Sequence, residues 1–485
     1  MQNSWRPKPG DRIFRPPRIR RYRLRRVLGV PALFSAGYGN VGSSIYYALG
    51  IVALVAAGAT PVVLGIAGIL FIFTALTYAE GTAMLPEAGG SASFARHSFG
   101  DLGGFTAGWA LMLSYIVTIS ISAYTIPPYL GLFWEPFKSS PVIGTLASMG
   151  VVFFLMTINV LGVKQTSFVN LGAAIIDLAT QISLVIIGFI LLFDPVLLFH
   201  RIVDNWPSPG NLVLGIALAS IAYTGIETMS QLAEETKQPE RKVPQALIMM
   251  IITVLVLFAG ISVVSFSAMT PQELASEWAR DPIAGIAASL PVAWLSIILK
   301  PLIAILASTI LLIATNAGLM GISRLAFSMG SHNLVPRVLS RIHPRFKTPY
   351  ISIIIFSAVA LLLLTPGLFA VELFKNMGAL YAFGSLLAFV FAHASILRLR
   401  AKRPDLPRPF KLRWNIKLKG HELPITAILG LLATGTIWVI IMITQPYSRW
   451  VGLIWMASGL AIYAIYRRQQ QKPQTHLGKE IENSD

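Results

Sequence analysis

Long apolar stretches divide the 485-residue chain into twelve segments. Each is close to 20 residues long, the length that an α-helix needs to cross a hydrocarbon core of roughly 30 Å. A transmembrane barrel would instead show alternating segments of about ten residues. We therefore predict an all-α integral membrane protein. The predicted spans are residues 28–53, 61–84, 102–132, 141–161, 167–193, 212–232, 243–269, 293–319, 350–365, 371–397, 423–443 and 451–465.

The composition excludes several classes of protein. Hydrophobic residues make up 55% of the chain and charged residues 12%, whereas charged residues approach about 25% in soluble globular domains. The chain has no cysteine, so it has no disulfide, thiol catalysis or cysteine-based metal site. The sequence shows neither a metal-ligand cluster nor a phosphate-binding loop. We expect no enzyme activity, no metal and no cofactor.

The net charge of +18 is explained by topology. Lysine and arginine are retained in cytoplasmic loops during membrane insertion. With the N-terminus inside, 33 of the 39 basic residues lie on that side. The six on the other side are Lys138, Arg201, Arg280, Lys300, Lys375 and Arg449. We predict a multi-pass plasma membrane protein with both termini in the cytoplasm, and its expected partner is the lipid bilayer rather than nucleic acid.

The first span contains a polar, glycine-rich cluster. These residues, with the isoleucine that follows them, are Gly37, Gly39, Asn40, Gly42, Ser43, Ser44 and Ile45. Inside a bilayer, irregular backbone is tolerated only where it lines a cavity or is covered by protein. The cluster therefore predicts a break in the helix beside a binding site. The alternative is close helix packing through small residues.

The sixth span has a matching feature in Tyr223, Thr224, Gly225 and Glu227. Paired interruptions in corresponding helices of two halves indicate a binding site at the middle of the membrane. Half-helix N-termini present free N–H groups to an anion, and freed carbonyls accept from a cation. A zwitterion such as an amino acid suits both. Glu227 is either a structural carboxylate or a proton-sensing one.

Short motifs in a constant order resemble the amino acid, polyamine and organocation (APC) permease superfamily. They lie at residues 37–50, 78–90, 105–109, 223–244, 323–336, 348–350 and 408–411. The resemblance implies about 12 transmembrane helices in a LeuT-like 5+5 inverted repeat, with helices 1 and 6 broken and two peripheral helices. It also implies alternating-access transport of amino acids or related amines.

The resemblance further implies roles for the two clusters. The glycines and serines of the first would present N–H and hydroxyl groups to a substrate carboxylate. Carbonyls near Tyr223, Thr224 and Gly225 would receive the amine, with the Tyr223 ring as lid or wall.

The predicted organisation has five parts. A basic cytoplasmic segment covers residues 1–27, and the transporter core covers 28–400, with repeats of roughly 28–193 and 212–400. A basic loop (401–422), two peripheral helices (423–466) and a cytoplasmic tail (467–485) follow.

The fifth span departs from the family. Proton-coupled members carry a lysine seven residues after an asparagine, whereas here Asn170 is followed at that spacing by Asp177. A buried carboxylate needs a proton, an ion or a cationic partner. We predict that Asp177 couples transport to a proton or a monovalent cation, with Ser308 and Thr309 as oxygen donors. The alternatives are a structural hydrogen bond for Asp177 and bonds from both hydroxyls back to their own helix.

Two other functions stay open. Tyr38, Asn40 and Tyr47, with the glycines and serines between them, also resemble the first helix of KUP-type potassium uptake transporters, which have an aspartate in place of Asn40. That resemblance suggests uptake of a bare cation. A solute sensor that binds without transporting is the third reading.

Overall fold

The computed structural model describes residues 26–162, 167–369, 372–418 and 420–471. Within those ranges, eleven helical segments are long and apolar enough to cross a membrane. The first, Val30–Met84, has 55 residues, although about 20 suffice for one crossing. Its helix is interrupted at Ala57, where φ is 42°, so it includes the first two predicted spans. The all-α membrane fold is confirmed, and the exact number of spans and the inverted repeat stay predictions.

The helices are numbered in chain order. Their bounds are α1 Val30–Val41, α2 Ile45–Ala56, α3 Thr60–Met84, α4 Ser91–Phe99, α5 Asp101–Leu130, α6 Pro136–Ser139, α7 Pro141–Leu161, α8 Ser167–Leu191, α9 Pro195–Val203, α10 Pro209–Ala219, α11 Glu227–Gln231, α12 Pro239–Ala268, α13 Pro271–Ser276, α14 Pro282–Ala288, α15 Ala293–Ser331, α16 Tyr350–Leu364, α17 Leu373–Lys402, α18 Ile425–Thr444 and α19 Pro446–Gln471. Short 3-10 helices lie at Gly42–Ser44, Ala57–Ala59, Ser220–Tyr223, Ala233–Glu235, Arg337–Ser340 and Thr365–Leu368.

Two helix limits differ from the prediction for a physical reason. Helix α15 continues to Ser331, well past the predicted end at residue 319, because hydropathy falls there while helix propensity does not. The basic loop contains an antiparallel hairpin of β1 Asn415–Leu418 and β2 His421–Pro424. Hydropathy gives no sign of so short a hairpin.

Helix α5 lies at the centre of the bundle. Every residue in its apolar window is buried, and it packs against α15 and α17. Only 28% of the corresponding windows of α7 and α8 are buried, so these helices present apolar side chains outward, as lipid contact requires. Helix α19 reaches α5 through Trp109 and Trp455, whose indole N–H groups each donate to the other's carbonyl at 2.8 and 2.9 Å.

Candidate functional site

The interruption in the first span is smaller than predicted. Helix α1 continues through the glycines to Val41, and only Gly42–Ser44 changes to a 3-10 helix before α2 begins. Backbone angles at Val41 and Ile45, on either side of this turn, stay in the right-handed helical region. Within the predicted cluster the distortion is thus confined to Gly42–Ser44, because a glycine permits an irregular conformation without requiring one.

The interruption in the sixth span is complete. A 3-10 turn at Ser220–Tyr223 is followed by extended backbone at Thr224, with ψ of 157°, and a new helix begins at Glu227. Between them Gly225 has a φ of 107°, which side chains rarely tolerate. A Cβ at this position would lie 2.8 Å from the side chain of Asn40. Glycine is required here both by its angle and by its neighbour.

Asn40 joins the two interruptions. Its Nδ2 donates to Oγ1 of Thr228 at 2.8 Å and approaches the carbonyl oxygen of Gly225 at 3.5 Å. Asn40 is 1% exposed. Its Oδ1 has no hydrogen-bond partner among the described residues, and a buried amide oxygen left in this condition is costly. One acceptor is thus available where the broken helices meet.

The glycines of the first span pack against protein side chains. A Cβ at Gly37 would lie 2.3 Å from Met229, and one at Gly39 would lie 3.0 Å from Ile313. A Cβ at Gly42 would lie 2.7 Å from the ring of Tyr38. These distances match the alternative of close packing through small residues. They give no direct sign of an approach between this backbone and a ligand.

The residues predicted to line the two interruptions include Ser43, Ser44, Thr224 and Ile45, and all four are buried. Ser43 donates to the carbonyl of Asn40 at 2.9 Å, and Thr224 donates to that of Ile221 at 2.8 Å. Oγ of Ser44 lies 3.1 Å from the hydroxyl of Tyr47. The serines and Thr224 therefore stabilise the interrupted backbone, as hydroxyls in helices often do.

Tyr223 points away from Asn40. Its hydroxyl donates to the carbonyl of Leu64 on α3 at 2.9 Å. Its ring lies between Phe71 and Phe258, with centroid distances of 5.2 and 5.3 Å. An anchored ring of this kind fits a wall better than a lid.

Glu227 is the first residue of α11 and is 1% exposed. Its Oε2 accepts a hydrogen bond from the N–H of Gly225 at 3.0 Å. A carboxylate at this position satisfies a free N–H group and complements the positive end of the helix dipole. The structural role named as one alternative for Glu227 is therefore present.

Sequence reasoning missed two polar side chains near this site. Gln231 and Tyr381 are buried, and neither the Gln231 amide atoms nor the Tyr381 hydroxyl has a partner among the described residues. The hydroxyl of Tyr115 is in the same condition. Tyr115 lies near Thr228, and Tyr381 lies near Thr224. Polar residues inside otherwise apolar spans were the signal that could have found them.

A cavity leads away from the site between α1, α11 and α15. Its lining includes Thr228, Gln231, Met320 and Arg324. Its free volume of about 50 Å³ exceeds the 10–15 Å³ that a single water needs. Arg324 pairs with Glu235 at 2.9 Å. The cavity lining therefore includes both Thr228, the hydrogen-bond partner of Asn40, and the charged side chain of Arg324 on α15.

Asp177 has a complete set of protein donors. Tyr38 and Gln181 donate to its Oδ2 at 2.9 and 2.8 Å, and Tyr46 donates to its Oδ1 at 2.6 Å. The carboxyl group is buried, with 1% of the residue exposed. This arrangement matches the structural alternative for Asp177, and it leaves a role in coupling open. The side chain of Asn170 lies outside the described part of the chain.

Ser308 and Thr309, the predicted oxygen donors to a cation, match the alternative in which their hydroxyl groups bond back to their own helix. Ser308 donates to the carbonyl of Ala304 at 2.7 Å, and Thr309 donates to that of Ile305 at 2.8 Å. Both hydroxyl groups thus bond back to α15. Their lone pairs stay available to a cation, and their role there stays a prediction.

A broken helix that meets the 3-10 turn of another helix at a buried polar site, within an all-helical membrane protein, is typical of the secondary transporters. The family model described as "Amino acid permease" matches residues 28–465. The chain belongs to this family. It is a membrane transporter rather than an enzyme.

Several transporters are similar over most of their length. The branched-chain amino acid permease BcaP of Bacillus subtilis (strain 168) is 27% identical over 93% of this chain and 94% of its own. The low-affinity putrescine importer PlaP of Escherichia coli (strain K12) is 26% identical, with 94% and 97% covered. The glutamate/serine transporter AimA of Bacillus subtilis (strain 168) is 25% identical, with 80% and 74% covered.

Proposed function

We propose that this permease moves an amino acid or a related amine across the plasma membrane by alternating access. The substrate binds where the interrupted first and sixth spans meet. The observation that carries this proposal is the bond from Asn40 to Thr228, which joins the two interruptions beside an Asn40 oxygen that no described residue satisfies. An unsatisfied acceptor inside a span suits an ammonium donor on a substrate.

The two ends of a zwitterion would bind different groups. The substrate carboxylate lies near Gly42, Ser43 and Ser44, at the 3-10 turn before α2, where serine hydroxyl groups can donate to an anion. The amine lies toward Asn40 and the carbonyls around Thr224, with Glu227 supplying negative charge. Gln231 and the hydroxyls of Tyr115 and Tyr381 would contact the remainder of the substrate. The cavity whose lining includes Arg324 is the route of release.

We also propose a coupling ion and an orientation. Asp177 is the group through which a proton or monovalent cation gradient drives accumulation, unless the protein works as an exchanger. The termini lie in the cytoplasm, as the distribution of basic residues favours. The segments 1–27, 28–400, 401–422, 423–466 and 467–485 keep the roles assigned from the sequence.

Uptake by purified protein in liposomes tests this function. The panel contains leucine, serine, glutamate, putrescine and potassium, each with an imposed proton or sodium gradient and without one. We expect uptake of at least one amino acid or amine that potassium leaves unchanged. Potassium flux alone would favour cation uptake, and saturable binding without any flux would favour a sensor.

The variants Asn40→Ala and Thr228→Val locate the site within the same assay. Each removes one partner of a buried hydrogen bond, so each should raise the substrate concentration needed for half-maximal uptake by about tenfold. The double variant should be little worse than either single one, because both changes remove the same contact. Thr157→Val is the control, since its hydroxyl donates to the carbonyl of Phe153 on an exposed face of α7. Unchanged uptake by Asn40→Ala would overturn the site assignment.

A further inference from the structure

Asp177 binds both halves of the interrupted first span. Tyr38 lies on α1 and Tyr46 on α2, so the two hydroxyl groups approach one carboxylate from opposite sides of the Gly42–Ser44 turn. All three side chains belong to residues that are at most 1% exposed. Through this one carboxylate, α8 is bonded to the helices on both sides of the Gly42–Ser44 turn.

Tyr46 is also held from the central helix. The hydroxyl of Tyr129, on α5, donates to the backbone carbonyl of Tyr46 at 2.9 Å. The two rings meet edge to face with centroids 5.5 Å apart. The side chain of Tyr46 is therefore fixed to α8 and its backbone to α5.

Helix α2 continues from Tyr46 to the turn at Ala57–Ala59, and we call this its outer end. There Gly50 approaches the loop at residues 269–281: a Cβ at Gly50 would lie 1.8 Å from the carbonyl oxygen of Ala279. The same loop is joined to α6 by Asp281, which accepts from Lys138 at 2.8 Å. The position of α2 and the closure of this outer end are thus parts of one packed unit.

We propose that Tyr46 is a positioning residue through which Asp177 holds α2 against the outer loop and keeps the outer end of the transport path closed. This inference rests on the proposed function and deepens it. Three donors converge on the two oxygens of Asp177, an arrangement that suits an anion. A neutral carboxyl or amide group carries no charge and keeps one full acceptor oxygen in place of two, so the charge-assisted bonds from the tyrosine hydroxyls weaken. A weaker bond from Tyr46 loosens α2 from α8.

Thiol labelling tests the inference directly, because the chain contains no native cysteine. Ile51, on α2, is 0% exposed, so Ile51→Cys reports any opening of the outer end. The full-length protein is reconstituted in liposomes and labelled with a membrane-impermeant maleimide, without substrate. The Ile51→Cys background is combined with Tyr46→Phe, with Asp177→Asn and with both changes.

We expect labelling to be about tenfold faster in Tyr46→Phe and in Asp177→Asn, the factor that one hydrogen bond to a charged group can supply. The double variant should label no faster than the single ones, because Tyr46 acts through Asp177. Tyr124→Phe is the control: it removes the hydroxyl of a tyrosine on α5 that is 6% exposed, and it should leave the rate unchanged. A general loosening of the fold would instead accelerate labelling in all variants.

Labelling that is unchanged in Tyr46→Phe, or that adds up in the double variant, would overturn the proposal. If Tyr46→Phe fails to yield monodisperse protein, Tyr129→Phe removes the second anchor of the same residue and should give the same rise. Substrate exchange is measured separately in each variant. A protein that labels as expected but transports none of the panel solutes would contradict the proposed function and leave the positioning role of Tyr46 supported.

Discussion

Arg400 binds Glu80 through two parallel hydrogen bonds deep in the protein, with Nε 2.7 Å from Oε1 and one terminal nitrogen 2.5 Å from Oε2. The two side chains are 3% and 0% exposed. Oε2 also accepts from the N–H of Leu412 at 3.0 Å. This ion pair connects α3 to the end of α17 and to the basic loop, which gives Glu80 a structural role.

Removal of this carboxylate should destabilise the protein. Glu80→Gln leaves the buried charge of Arg400 without its opposite charge. Breaking a buried ion pair in this way costs about 3–5 kcal/mol. The midpoint of thermal unfolding in detergent measures the effect. Glu422→Gln is the control, because Glu422 pairs with Lys411 at 2.6 Å on the surface of the same loop, where both side chains are 48% exposed. Equal melting of the two variants would contradict the structural role of Glu80.

Gly225→Ala should abolish uptake and lower stability by about 1–3 kcal/mol, the usual cost of a side chain in a disfavoured backbone region. Alanine cannot adopt a φ of 107° without strain. The new methyl group would also push Asn40 away from Thr228. Gly65→Ala is the matched control in α3, since a Cβ there would meet nothing within 4 Å. Uptake assays and melting curves of both variants test this. Full uptake by Gly225→Ala would show that the interruption is unrelated to transport.

Asp177→Asn should uncouple accumulation from the ion gradient while sparing exchange of substrate down its own gradient. Asparagine keeps the size of the side chain and removes the titrating charge. Concentrative uptake and exchange are measured in the same liposomes at several values of pH and sodium concentration. Asp194→Asn, which alters an exposed acid that caps α9, should change neither. Accumulation by Asp177→Asn with an unaltered dependence on pH and sodium would reduce Asp177 to its structural role.

The ionisation of Asp281 should make the stability of the protein fall as pH rises, which is the opposite of the effect of most paired acids. Burial raises the pKa of its carboxyl, and the nearby charge of Lys138 offsets only part of that rise. Because the folded-state pKa lies above the unfolded value, the contribution to stability is complete below the ordinary pKa of about 3.9 and is lost as pH rises through the folded-state pKa. The melting temperature of the wild type relative to Asp281→Asn should therefore fall as pH rises from about 4 toward neutrality.

Glu273→Gln provides the comparison for that experiment. The backbone N–H and hydroxyl of Thr270 lower the pKa of Glu273, so its contribution is complete above its ordinary pKa of about 4.3 and is lost only at lower pH. Relative melting of Glu273→Gln should stay flat across the window in which Asp281→Asn changes. A flat profile for both variants would show that Asp281 does not titrate in that window.

The class of this protein could be predicted from its sequence, because crossing a bilayer imposes constraints that are local along the chain. About 20 apolar residues are needed for each crossing, and a helix must satisfy its own backbone. The break at Gly225 could be located for the same reason, since a glycine two residues before an acid inside an apolar span indicates a functional interruption of the helix. The motifs around Gly37, Tyr223 and Arg408 were enough to place the chain among the permeases.

The contacts of individual side chains were decided by tertiary structure. Sequence spacing does not show that Gly37 packs against Met229, or that Asp177 binds tyrosines from α1 and α2. A helical residue presents a side chain in one direction, and the neighbour that it meets there depends on how distant helices pack. The sequence alone determined which segments cross the membrane and where one of them breaks. The packing of the helices decided which of the polar residues inside those segments meet, because each such contact joins residues far apart in the chain.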